Sequence, residues 1–184
     1  MRELRRGAGR RPTIVDDERG AGGRALAVSL AASGTDGRYA HLVWKLDTPS
    51  SSARLSFAFR VVTPPTDDVL VARLQIGDEG FAYAMLRDGA LSFTAQRPLP
   101  DGGLLGEEAG SPSALLGTAW HSVTLEYRAG TTSLLSLSVD EVTATIDVKN
   151  VVAAVRAIAI GSTYARSGDA ARLHFDDVRF ETTF

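Results

Sequence analysis

Arginine, glutamine and tyrosine recur at alternating positions in two neighbouring stretches of this 184-residue chain. Arg73 and Gln75 lie in one; Tyr83, Arg87 and Gln96 flank Asp88-Gly89 in the next. Rings that stack and polar groups that bind hydroxyls are what a sugar site on a sheet needs. The spacing would place these residues together. Asp88-Gly89 is a strong two-residue hairpin signal, and it pairs Arg87 with Ala90, Leu86 with Leu91, Met85 with Ser92, Ala84 with Phe93 and Tyr83 with Thr94. With Ala84, Leu86, Leu91, Phe93 and Ala95 in the core, the opposite face carries Tyr83, Met85, Arg87, Ser92, Thr94 and Gln96. Such a face is either the floor of a ligand groove or a solvated sheet surface.

Other chemistries find less support. Glu107-Glu108 and Asp140-Glu141 are adjacent acids, which point to opposite faces of a strand, whereas retaining glycoside hydrolysis needs two carboxyls a few ångströms apart. His41, His121 and His174 are far apart in the chain and lack the spacing of a zinc site. The glycine clusters neither follow a strand nor open a helix, and no nucleophile elbow occurs. With no cysteine, thiolate chemistry and disulfides are excluded.

A net charge of −2 argues against a nucleic-acid binder. No run is long and apolar enough to be read as a transmembrane segment. Residues 1–12 hold five arginines among small residues and read as a flexible basic arm; residues 13–184 read as one β-sandwich domain.

The elements that must hold the polar face are short strands. Leu26, Val28 and Leu30 alternate, as do Leu42, Trp44 and Leu46, with His41 and Lys45 opposite. Leu55, Phe57, Phe59 and Val61 form the next inward set. Leu70, Ala72, Leu74 and Ile76 are expected inward, with Val69, Val71, Arg73 and Gln75 outward. The stretch 98–117 reads as a long surface loop. The last third is a run of strands, and between Phe175 and Val178 the adjacent Asp176 and Asp177 break the alternation as a β-bulge would.

Trp120-His121 at a strand start resembles laminin-G-like and concanavalin A-like sandwich domains, as does Leu135 to Thr145 with its central turn, although Glu141 stands where glycine is usual. His174-Phe175-Asp176-Asp177-Val178-Arg179-Phe180 is similar to their closing strand. The resemblance implies an all-β, antiparallel jelly-roll sandwich of concanavalin A-like type. It also implies that Asp176 or Asp177 could help hold a structural calcium, with Asp16, Asp17 or Glu18 among the other ligands; a metal-free bulge is the alternative. The same fold hosts alginate lyases. Arg2-Glu3-Leu4-Arg5 looks superficially like one of their motifs, and Leu74-Gln75-Ile76-Gly77 has the glutamine of another but glycine where histidine belongs. The third, tyrosine-bearing motif is not found.

The resulting expectation is a non-catalytic module of an exported or surface bacterial protein that binds glycan or a protein partner through Arg73, Gln75, Tyr83, Arg87 and Gln96. One alternative is an assembly domain that self-associates. Another is a polysaccharide lyase or hydrolase of the same fold.

Overall fold

The computed structural model describes residues 2–6, 12–16, 23–35, 37–101, 103–109, 112, 115–149 and 153–183. Among these are fourteen strands and no helix, arranged in two seven-stranded antiparallel sheets. The front sheet runs β1 (Arg2–Arg6), β4 (Ala40–Ser50), β13 (Val155–Ala165), β6 (Val69–Ile76), β7 (Gly80–Arg87), β8 (Ala90–Pro98), β9 (Leu104–Ala109). The back sheet runs β12 (Val142–Val148), β11 (Ser133–Val139), β10 (His121–Arg128), β5 (Ser52–Thr63), β14 (Ala171–Thr183), β3 (Arg24–Leu30), β2 (Thr13–Asp16). This is the jelly-roll sandwich expected from the sequence.

The sheets pack through their alternating apolar faces. Leu55, Phe57, Phe59 and Val61 of β5 and Leu173 and Phe175 of β14 are buried against Leu74, Ala82, Ala84, Leu91 and Phe93 of the front sheet. Phe57, Phe59 and Phe175 form an aromatic cluster with centroids 5.2–6.3 Å apart. Such pairs add to the stabilisation that burial alone provides. Asp88 and Gly89 both have positive φ, 49° and 77°, as a two-residue turn matching strand twist requires. The β7–β8 register is the expected one, with Arg87 opposite Ala90 and Tyr83 opposite Thr94.

Several elements depart from expectation. Arg2–Arg6, read as part of a flexible arm, pairs with β4 as the edge strand β1; residues 7–11 lie outside the described residues. An edge strand tolerates charged side chains that a central one would not. Thr13–Asp16 adds a second strand not anticipated, β2. The expected long loop contains β9, which pairs with β8 from Phe93 to Pro98.

In β6 the alternation reverses near its start. Val69 and Val71 are fully buried, while Leu70 faces outward with Arg73. The β6–β7 register shifts between Leu70 and Ala72, and one slipped residue exchanges the faces.

Candidate functional site

The outer face of the front sheet is built in cross-strand rows. One row runs Lys45, Ala157, Gln75, Phe81, Gln96 across β4, β13, β6, β7 and β8. The next runs Val43, Ala159, Arg73, Tyr83, Thr94. The small side chains of Ala157 and Ala159 on β13 leave a hollow between the long residues on either side. Val43, Ala157 and Ala159 form a separate buried apolar patch in its floor.

Over these rows lies a cavity of 580 Å³. Arg73, Tyr83, Arg87 and Gln96 all line it, so four of the five residues singled out from the sequence meet there. The fifth, Gln75, lines an adjoining 300 Å³ hollow with Lys45, Arg73 and Phe81. The Arg73 guanidinium sits 5.0 Å from the centroid of the Phe81 ring, a contact that holds a cation over an aromatic face. Arg73 and Phe81 border both spaces.

Arg87 is held at the cavity rim by an acid. Its Nε and Nη2 donate to both carboxylate oxygens of Asp68, at 3.0 and 2.9 Å. This bidentate pair fixes the guanidinium in one orientation at the rim and leaves it less able to meet a ligand's carboxylate.

On the β13 side of the cavity wall stand Thr163, Tyr164 and Arg166; in the sequence Tyr164 reads only as a candidate loop-tip contact beside a turn, and Thr163 and Arg166 are not singled out. A bulge in β13 puts them there. Ile160 lies opposite Ala72 of β6, yet Tyr164 is already opposite Leu70. Three β13 residues thus oppose one on β6, and such bulges re-aim side chains. Gly161 makes this shape with φ of 106°; a Cβ there would lie 2.5 Å from the Ala40 carbonyl oxygen. The Tyr164 ring meets Tyr39 edge-on, at 6.0 Å between centroids. Beneath the bulge, His41 is buried and its Nδ1 donates to the Ser162 carbonyl at 3.1 Å. The signal that could have found this wall was the glycine inside a strand pattern, which marks a bulge or a close backbone approach.

Asp176 and Asp177 lie on the other sheet and form the bulge that broke the alternation. The β14–β5 register shifts between Asp176 and Arg179. Asp177 has φ of 48°, and its amide donates to Asp176 Oδ1 at 2.8 Å. Among the described residues no three acids or histidines converge as metal ligands would. Asp17 and Glu18, named as partners for a calcium, lie outside the described residues.

No family model matches the sequence, and no curated protein matches it either. Solved structures do match in fold. An endo-β-1,4-glucuronan lyase from the fungus Trichoderma reesei superposes with a TM-score of 0.75 at 16% identity, covering 99% of this chain and 91% of that one. Alginate lyase A1-II', of polysaccharide lyase family 7, gives 0.63 at 12% identity over 92% and 83%. A sialidase gives 0.60 at 13% identity, but the match covers only 16% of that chain. The chain therefore has the concanavalin A-like jelly-roll fold of these polysaccharide lyases. The leading expectation of a non-catalytic binding module is corrected by this finding. The two lyase structures cover 99% and 92% of this chain, and this likeness favours the lyase alternative over a non-catalytic module.

Proposed function

We propose that the chain is a polysaccharide lyase that cleaves a uronate-containing polymer by β-elimination. The observation that carries this reading is one cavity on the jelly-roll face that brings Arg73 together with two phenols, Tyr83 and Tyr164. Elimination from a uronate removes the proton on the carbon next to the carboxylate. The electron pair forms a C=C bond, and the C–O bond to the next sugar breaks. The carboxylate must share the negative charge that develops, so a fixed cation at that group lowers the barrier. Arg73, held over Phe81, is assigned that role, and Gln75 supplies an amide donor beside it. Tyr164 is assigned the proton transfer between the ring carbon and the departing oxygen. The neighbours' names, glucuronan lyase and alginate lyase, support the class of substrate. A polymer of this kind is met outside cells, so the reading carries export with it; among the described residues no helix is long and apolar enough to cross a membrane.

The test is to incubate the purified chain with glucuronan, alginate and other polyuronates and to follow the ultraviolet absorbance of the unsaturated product. Tyr164→Phe should lower kcat by about 10²-fold or more while binding is kept. The reading fails if no polyuronate yields unsaturated product, or if the Phe variant turns over normally.

A further inference from the structure

Arg38 heads the large, fully buried side chains among the described residues, at 1% exposed, and it lies between the loops at one end of the sandwich. Its Nε donates to the Arg166 carbonyl at 2.7 Å. Its Nη1 reaches three more carbonyls, those of Ala31 at 3.0 Å, Asp169 at 2.8 Å and Gly168 at 3.3 Å. Three of the four acceptors belong to residues 166–169, which follow directly on Tyr164. A buried charge is costly unless hydrogen-bonded. Nη2 is buried without a partner among the described residues, so the guanidinium's compensation comes from the carbonyls on Nε and Nη1, and their positions are tied to its own. The loop is also fixed from its other sides. Gly168 exchanges backbone hydrogen bonds with Ser33, at 2.8 and 2.9 Å. The Asp169 amide donates to Thr66 Oγ1 at 3.1 Å, and the Arg166 amide to the Asp68 carbonyl at 3.3 Å.

These bonds form a continuous path to the cavity. Arg38 holds the Arg166 carbonyl, Arg166 is bonded to the Asp68 backbone, and the Asp68 carboxylate holds Arg87. Arg166, Asp68 and Arg87 all line the cavity. We infer that Arg38 is a positioning residue whose buried guanidinium sets the cavity wall formed by Tyr164, Arg166 and the Asp68–Arg87 pair. The inference rests on the proposed function for its catalytic consequence but not for its structural one. Gly168 belongs to the same device: a Cβ there would lie 2.8 Å from Thr66 Oγ1 and 3.2 Å from Arg38 Nη2, so its missing side chain lets the loop close onto the guanidinium.

The experiment compares wild type, Arg38→Met, Arg38→Lys and a control, Tyr127→Phe. Lys keeps the charge but has a single ammonium for four carbonyls, and it serves where Met does not fold. Tyr127 is buried in the back sheet, where its hydroxyl is hydrogen-bonded with Ser133 Oγ and donates to the Ala153 carbonyl; its loss lowers stability without reaching the cavity. Two quantities are read at matched temperature below Tm: kcat and KM on glucuronan, and amide hydrogen exchange at Arg166, Gly168 and Asp169. The Arg38 variants should lose roughly tenfold to a hundredfold in kcat/KM, as small misplacements of reacting groups do, and should exchange faster at the three amides. The control should change neither. Unchanged exchange at these amides in a folded Arg38 variant overturns the inference, as does unchanged kcat/KM. If wild type cleaves no polyuronate, the proposed function fails, and exchange alone then decides for or against Arg38.

Discussion

Asp140 shows how one carboxylate can hold a backbone shape that most residues avoid. It opens the β11–β12 turn at φ 54°, a region that aspartate and asparagine tolerate better than other side chains. Oδ2 accepts from His121 Nδ1 and Oδ1 from the Ser122 amide, both at 2.9 Å. These bonds, the one from His121 foremost, hold its pKa below the usual aspartate value. A depressed folded-state pKa gives stability that is present above the unfolded-state value and is lost as pH falls through the folded one. Wild-type Tm should therefore drop on acidification below the ordinary carboxylate range. Asp140→Asn should show a shallower acid limb and, at neutral pH, a loss of up to about 1 kcal/mol, since the carboxylate is largely exposed. Parallel acid limbs in thermal melts of the two proteins would remove Asp140 from the account. The turn itself was legible from Asp140-Glu141 between two apolar runs. The device was not, because the partner that makes the positive φ tolerable sits nineteen residues upstream.

Among the elements, β13 decides whether the cavity exists. From Ala157 to Ile160 its residues pair one for one with β6, and Gly161 then starts the bulge that turns Tyr164 outward. Gly161→Ala should be destabilising by more than about 1 kcal/mol, because alanine is strained at positive φ and its Cβ would meet the Ala40 carbonyl and His41. Straightening the bulge would also move Tyr164, so activity should fall further than stability explains. Urea unfolding and turnover measured on the same variant separate the two effects, and a variant as stable and active as wild type would show that the bulge does not need glycine. The strands with a clean apolar period were readable, and the β7–β8 hairpin was readable to the residue because its turn chemistry fixes the register. Strand β9 was not, for a physical reason. Gly106 lies so close to β8 that a Cβ would be 2.7 Å from the Ala95 carbonyl oxygen, and a strand that needs glycine at its contact reads as loop. The outward placement of Tyr83, Arg87 and Gln96 on β7 and β8 followed from the strand period and the turn. Tyr164 and Arg166 did not, since a bulge cancels the period that would have placed them.

At the scale of the whole molecule, charge is unevenly distributed. The chain carries a net −2, yet the cavity is lined by Arg73, Arg87 and Arg166 against a single acid, Asp68. The overall balance made a nucleic-acid partner unattractive, and for the same reason it concealed this local excess of cations, which only the fold assembles. A cationic hollow in a mildly acidic molecule would draw polyanions toward one face and not to the surface at large. The consequence is kinetic. Raising ionic strength from 0.01 M to 0.15 M shortens the screening length from about 30 Å to about 8 Å, so the encounter with a polyuronate should slow. Once the polymer is seated against Arg73, the chemical step lies within contact distance and is screened far less. Turnover of glucuronan should therefore lose kcat/KM several-fold across that range while kcat stays nearly constant. Tm should move little, because the ion pairs of the described residues are exposed or half-exposed and each is worth little. A salt-independent kcat/KM would mean that the arginines do not steer the substrate. A kcat that fell in step with kcat/KM would place the salt-sensitive interaction in the chemical step itself, at the carboxylate that Arg73 is assigned to neutralise.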